Sequence, residues 1–247
     1  MATECGQQAI DIVIGAGSGI GAALVERWHQ SALRPILAVA RGTSLSHWAA
    51  RDGVVTHACD YSDEGIQALS ERLLADGSDI NRLVICNGVL QGEGYRPERS
   101  LSQINRVAMQ RVFEVNAFLP MNLLSALSPA LKHSGAPRIA VLSARVGSIG
   151  DNRLGGWYAY RGSKAALNMM LKSAALELKR LNRQAKLLAY HPGTVDTPLS
   201  KPFQGAVPRE NLLSAETAAE ALDRVLSDLT ADGELSYLDW RGNPIPW

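Results

Sequence analysis

Short apolar runs alternate with longer amphipathic stretches along this 247-residue chain. Ile10–Ile14, Ile36–Ala40, Val54–Ala58, Arg82–Cys86, Arg138–Ser143 and Ala185–Tyr190 read as buried strands, and Leu235–Leu238 as a weaker seventh. Helical spacing of apolar positions runs through Gly19–Gln30, Ser62–Ala75, Leu101–His133, Tyr158–Leu181 and Ser214–Leu229. Apolar residues three and four apart line one helix face, whereas short continuous apolar runs suit strands covered on both sides. Regular strand–helix alternation predicts a parallel sheet of about seven strands with helices on both faces. Right-handed crossovers make it an α/β, doubly wound sheet, in one domain over residues 1–247.

Two stretches depart from this rhythm. Pro120 and Pro129 fall inside Leu101–His133, and a missing N–H there predicts a kink or a break. Residues 195–213 hold Pro198, Pro202, Gly205 and Pro208 with little periodicity. A connection of that length inside one domain is usually functional, and it reads as a lid over a substrate pocket.

Composition changes this picture little. Hydrophobic residues make up 46% and charged residues 20%, an ordinary globular balance. The net charge of +1 gives no field that would draw nucleic acid or an anionic membrane, so neither partner is expected. Three cysteines, Cys5, Cys59 and Cys86, are widely spaced and form no C-x-x-C pair. A disulfide framework or zinc site is not expected, and Cys86 reads as a buried strand residue. The five histidines show no metal spacing, and His191 reads as structural. The N-terminal segment lacks the basic start and apolar core of a signal peptide. No apolar run approaches the ~18 residues of a membrane span. A cytoplasmic location is the expectation.

The candidate chemistry begins at Ile14-Gly15-Ala16-Gly17-Ser18-Gly19-Ile20-Gly21, after the first strand and opening the first helix. Glycines there let the backbone turn sharply and approach a diphosphate, and the helix end supplies free N–H donors. Gly15, Ser18, Gly19, Ile20 and Gly21 are the candidate contacts. No Gly-Lys-Ser/Thr follows, which disfavours a phosphoryl-transferring loop. The second strand runs into Ala40-Arg41-Gly42 with no carboxylate. An acid at that point would bind the ribose 2′-hydroxyl of NAD, whereas a guanidinium suits the 2′-phosphate of NADP. NADP is the favoured cofactor and NAD the alternative. Further on, Tyr160 and Lys164 lie four residues apart on one helix face. A nearby ammonium is expected to lower the pKa of the phenol and make proton exchange with a substrate oxygen accessible at neutral pH.

The Gly-rich turn, a serine after strand five, Y-x-x-x-K on the next helix and His191-Pro192-Gly193-Thr194-Val195-Asp196-Thr197 after strand six come in an order that resembles the short-chain dehydrogenase/reductase family. The resemblance covers essentially the whole chain. More narrowly, Ser143-Ala144-Arg145-Val146-Gly147-Ser148-Ile149, then Gly155-Gly156-Trp157-Tyr158-Ala159-Tyr160, looks like its C-factor-type and small carbonyl-reductase branch. It implies a Rossmann fold and hydride transfer between a nicotinamide and a small carbonyl or secondary alcohol. Tyr160 would be the general acid in reduction and the base in oxidation, and Lys164 would bind the nicotinamide ribose. Asn116 would hold a water linking that lysine to solvent. Asp60 would contact the adenine amino group, and Asn87 and Gly88 would line the cofactor wall. Pro192, Gly193, Val195 and Thr197 would face the nicotinamide carboxamide.

Three positions depart from the family pattern. Ile14 stands where a threonine is usual, and Ile85-Cys86-Asn87-Gly88 replaces Asn-Asn-Ala-Gly. Ala144 stands where the second, commonly catalytic, serine is found. Ser143 is then the candidate hydroxyl, with Ser148 a further one. The alternative reading is a nucleotide-binding signalling or regulatory protein with little or no turnover. The helices around Asn116 and after Tyr160 carry mixed apolar faces. These either pair across a two-fold axis, as a homodimer or homotetramer would need, or are buried within the monomer.

Overall fold

The computed structural model describes residues 9–206 and 208–247. Its main sheet has seven parallel strands: β1 (Ala9–Ile14), β2 (Ile36–Ala40), β3 (Val54–Ala58), β4 (Asp79–Ile85), β5 (Arg138–Leu142), β6 (Lys186–His191) and, last in the chain, β9 (Ser236–Asp239). Their order across the sheet is β3-β2-β1-β4-β5-β6-β9. The chain thus winds outward from β1 in one direction, returns, and winds out from β4 in the other. Between β1 and β4 lies the switch point, where a doubly wound sheet opens a crevice at the strand C-termini. A two-stranded parallel ribbon, β7 (Thr194–Val195) with β8 (Leu212–Leu213), anchors both ends of the 195–213 segment. Sequence periodicity did not predict this ribbon, because two-residue strands carry no period.

Side-chain alternation divides the core. Ile12 and Ile14 of β1 join a cluster with α2 (Asp63–Ala75), α4 (Leu119–His133) and α5 (Tyr158–Leu181) on one face. Val13 joins the cluster with α1 (Gly19–Ser31) and α6 (Ala215–Asp228) on the other face. The predicted strands and helices stand within a few residues of the observed ones, except for Leu101–His133. That stretch is a 3-10 turn at Leu101–Gln103, then α3 (Arg106–Phe113), a π turn at Glu114–Phe118, and α4. Pro129 sits inside α4 without ending it, and Pro120 sits in its first turn. Pro120 has no N–H to give to the carbonyl of Asn116, four residues back. The backbone widens just before it, with Leu119 N–H reaching Glu114 O. The expected interruption is therefore a π turn, a device frequent at functional sites. No helix of the described residues is long and apolar enough to cross a membrane.

Candidate active site

The phosphate turn joins β1 to α1 at the switch point. Gly15 has φ of 87°, and a Cβ on Gly21 would lie 2.3 Å from the Gly15 carbonyl oxygen. Only glycine admits this fold of turn against helix. Ser18 stands at the N-cap of α1, its hydroxyl making no capping bond, and no acidic residue occupies the first turn. Free N–H groups and the positive helix end therefore face the crevice, as a bound diphosphate requires. Gly19 abuts Thr197, whose methyl group is 3.2 Å from the position of an added Cβ. The 195–213 segment thus starts against the phosphate turn. Arg41 is exposed at the C-terminal end of β2. The Ser44 hydroxyl, which donates to Arg41 O at 2.7 Å, lies against Gly17. Ser44 was missed in the sequence, where it is one more polar residue in a loop.

Asp60 follows β3. Its Oδ1 accepts from Ser62 N at 2.9 Å and Ser62 Oγ at 2.7 Å, and these bonds hold its carboxyl below the usual range. Asn87 and Gly88 follow β4. Around Gly88 three parts of the predicted site converge: a Cβ there would lie 3.5 Å from Asn116 Oδ1, 3.9 Å from Lys164 Nζ and 4.0 Å from Leu199 of the 195–213 segment. Asn116 is fully buried in the π turn. Its Oδ1 accepts from Val89 N at 2.8 Å, while Nδ2 donates to Val89 O at 2.8 Å and to Ser163 Oγ at 3.1 Å. It stitches the loop after β4 to α5.

Tyr160 and Lys164 share the first turns of α5. That helix end is tied down from three directions. Glu98 accepts Ala159 N with its carboxylate (3.2 Å) and Trp157 N with its carbonyl (2.5 Å). Arg161 Nε donates to the carbonyls of Gly155 (3.2 Å) and Gly156 (3.1 Å). The Trp157 ring meets Tyr160 edge-on at 6.2 Å and Phe203 of the 195–213 segment at 5.2 Å. Lys164 Nζ donates to Leu142 O at 2.8 Å, at the end of β5. Burial pushes Tyr160 up to about 12 and Lys164 down to about 7. This corrects the sequence expectation of an ammonium-lowered phenol. Without a ligand the same apolar surroundings disfavour both charges, so the phenol is a protonated donor.

Ser143 lies elsewhere. Its buried hydroxyl donates to Asn168 Oδ1 of α5 at 2.6 Å, one helical turn beyond Lys164. Ser148 is buried, and its Oγ accepts from Asp151 N at 3.0 Å. Ala144 is extended, and its carbonyl accepts from Tyr237 Oη at 2.7 Å. The alternation that turns Ser143 toward α5 turns the next residue away from it. His191 ends β6 before Pro192 and Gly193. Burial lowers it to about 4, leaving it neutral, and its Nδ1 has no partner among the described residues. Val195 is buried in the β7–β8 ribbon. Among the described residues no group of three His, Cys, Asp or Glu could hold a metal ion.

A profile described as "short chain dehydrogenase" matches residues 9–207. The chain belongs to the short-chain dehydrogenase family. Family members are oxidoreductases that act on CH–OH or carbonyl groups with NAD(P). The C-signal protein of Myxococcus xanthus is 33% identical over 148 residues, which span 60% of this chain and 84% of that protein. The 1-hydroxy-2-glutathionyl-2-methyl-3-butene dehydrogenase of Rhodococcus sp. (strain AD45) is 29% identical over 96% of this chain and 98% of its own length. The NADPH-bound carbonyl reductase from chicken fatty liver superposes with a TM-score of 0.79 over 98% of this chain and 99% of that one, at 23% identity. That last likeness shows the fold.

Proposed function

We propose that this short-chain dehydrogenase uses NADP(H) to interconvert a small carbonyl compound and its secondary alcohol. The observation that carries this reading is the convergence of Asn116 and Lys164 near Gly88, with Tyr160 one helical turn before Lys164 on α5. The residues present fit a dinucleotide. The Gly15–Gly21 turn gives backbone access and free donors, and Arg41 stands exposed where no carboxylate competes for a ribose. The bound cofactor would supply or accept the hydride. A guanidinium there favours the 2′-phosphate of NADP, which accords with the NADPH bound in the chicken reductase.

Each residue then has a task. Tyr160, protonated in the dry pocket, gives its proton to the substrate oxygen in reduction and removes it in oxidation. Lys164, which donates to Leu142 O here, would hold the nicotinamide ribose, and acceptor groups of the cofactor would favour its charged form. Asn116 fixes the loop beneath both. Trp157 and Phe203 form the apolar wall beside Tyr160 and suit a substrate with a flat or apolar substituent. Ser143 remains the candidate hydroxyl on the substrate side only if it leaves Asn168.

A second reading has one specific observation behind it. Ala144 supplies no hydroxyl, and Ser143 is engaged by Asn168. Loss of one such donor costs about 3 kcal/mol of transition-state stabilisation. A nucleotide-binding regulatory protein with residual turnover would tolerate that loss, as its similarity to C-signal allows. One experiment separates the two. Binding of NADPH and NADH is measured by fluorescence, and turnover on a panel of aldehydes and ketones. The enzyme reading expects NADPH bound at least tenfold more tightly than NADH, and turnover that Tyr160→Phe removes while NADPH binding persists. Wild-type protein that binds NADPH but turns over nothing on the panel decides for the regulatory reading.

A further inference from the structure

Glu98 has no part in the chemistry above, yet it is 4% exposed and joins none of the salt bridges among the described residues. A carboxylate is rarely buried without a partner that offsets its desolvation. Its partner is the start of α5. Trp157 stands at the N-cap of that helix, where an indole offers no acceptor, and the first turn holds no acidic residue. Glu98 supplies the cap from 61 residues away, its Oε2 accepting from Ala159 N at 3.2 Å. Its main-chain carbonyl accepts from Trp157 N at 2.5 Å. A Cβ on Gly156 would lie 3.3 Å from that same carbonyl oxygen, so the two segments press together. The strand-side end of the Glu98 segment is fixed as well, since Asn116 holds both backbone groups of Val89.

This clamp holds a conformation that would otherwise relax. Gly155, Gly156 and Trp157 have positive φ in succession, of 64°, 63° and 52°. Glycine adopts such a backbone freely, but a bulky aromatic residue is strained there, and the strain persists only where the surroundings impose it. In that conformation the Trp157 ring lies edge-on to Tyr160 at 6.2 Å and to Phe203 at 5.2 Å. Freed from Glu98, the first turn of α5 would fray, Trp157 would return to extended backbone, and its ring would leave both. We propose that Glu98 is a positioning residue that sets substrate selectivity. It holds Trp157 as the aromatic wall beside Tyr160, and so favours carbonyl compounds that carry an aromatic ring over aliphatic ones of similar size. The proposal rests on the reductase reading above.

Two variants test it. Glu98→Met keeps the length of the side chain and removes the acceptor, whereas Glu98→Gln keeps an oxygen that accepts from Ala159 N. The ratio kcat/KM is measured for benzaldehyde and for pentanal at saturating NADPH. Wild type should prefer benzaldehyde. Glu98→Met should cut that preference about fivefold, and Glu98→Gln should keep it within about twofold. A preference taken between two substrates in one preparation is independent of the fraction folded, so a variant that melts early still decides. A wild type without the preference would overturn the proposal, as would an unchanged preference in Glu98→Met. Equal losses on both aldehydes would mark a merely structural role and overturn it too, and so would a Glu98→Gln that loses as much as Glu98→Met. A second measurement needs no turnover. Amide exchange over residues 155–162, read by mass spectrometry, should quicken about fivefold in Glu98→Met and stay at the wild-type rate in Glu98→Gln. Wild-type exchange in Glu98→Met would overturn the clamp whether or not any aldehyde reacts. Wild-type protein that reduces neither aldehyde is a different failure, that of the reductase reading itself.

Discussion

Lys164 shows how one buried group can carry the pH dependence of the site. Its ammonium is held to about 7 by burial, against an ordinary value of 10.5. Between those values the unfolded chain binds a proton that the folded, unliganded protein does not, so this group makes folding more favourable as pH rises from about 7. Cofactor binding works in the opposite sense. Phosphate charge and ribose hydroxyls favour the ammonium, raise its pKa and make binding take up a proton above pH 7. NADPH affinity should be greatest below about pH 7 and weaken as pH rises beyond it. Calorimetry at pH 8 in two buffers of different ionisation enthalpy should register close to one proton taken up per NADPH, on the order of 0.5 or more. Lys164→Met should remove that uptake. A wild-type protein that exchanges no proton would sink the argument. At this scale the Tyr160–Lys164 spacing and Arg41 were legible in the sequence, because spacing on a helix and position at a strand end survive without coordinates. The burial that shifts the phenol the other way was not legible, since it depends on tertiary packing around the start of α5. Nor was the Ser143–Asn168 bond, which depends on which way one strand residue points.

We propose that the 195–213 segment is a lid over the site, and the elements around it supply the contacts that would hold it closed. The β7–β8 ribbon pins its ends, Ser200 Oγ bonds to Val195 O, and a 3-10 turn at Lys201–Ala206 carries Phe203 to Trp157. Trp157 can receive it because it caps α5 in the left-handed region, with φ of 52°, after two positive-φ glycines. An aromatic pair of this kind is worth about 1 kcal/mol beyond burial. Phe203→Ala should therefore populate the open lid more, and tryptic cleavage after exposed Arg209 should quicken about fivefold. Saturating NADPH should reduce the rate in both proteins. Equal cleavage rates for variant and wild type would show that Phe203 does not hold the lid. The sequence marked this stretch by its prolines but could not pair Phe203 with a tryptophan 46 residues earlier. The π turn has a similar history: Pro120 signalled an interruption, and only the fold shows that Asn116 lies at its centre.

Over the whole molecule, strand number and winding followed from the alternation of apolar runs with helices, which sets a parallel sheet and then the handedness of its crossovers. What the alternation concealed is a charge network inside that sheet. Asp11 and Arg82 stand in runs that read as apolar strands, yet Arg82 Nε meets Asp11 Oδ1 at 2.9 Å and its Nη1 meets Asp223 Oδ1 of α6 at 2.7 Å. Arg27 Nε and Trp28 Nε1 of α1 reach Asp223 at 2.8 Å each, and the Arg82 guanidinium lies 3.9 Å from the centre of the Trp28 ring. The partners come from β1, β4, α1 and α6, up to 196 residues apart. No local pattern could announce them. Asp11 is 1% exposed, and removing Arg82 leaves its buried carboxylate with only the neutral amide of Asn81, which donates to Oδ1 at 2.7 Å, at a cost of about 3–5 kcal/mol. In a domain of this size Arg82→Met should lower the melting temperature by roughly 10 °C. NADPH affinity should stay within about twofold, because the network sits toward the strand N-termini, away from the crevice. Pairing it with Asp11→Leu should recover part of the loss, since an apolar pair leaves no unpaired charge on that side. If the double variant instead melts as low as the two single losses added together, the network acts through packing of the guanidinium on Trp28 and not through charge.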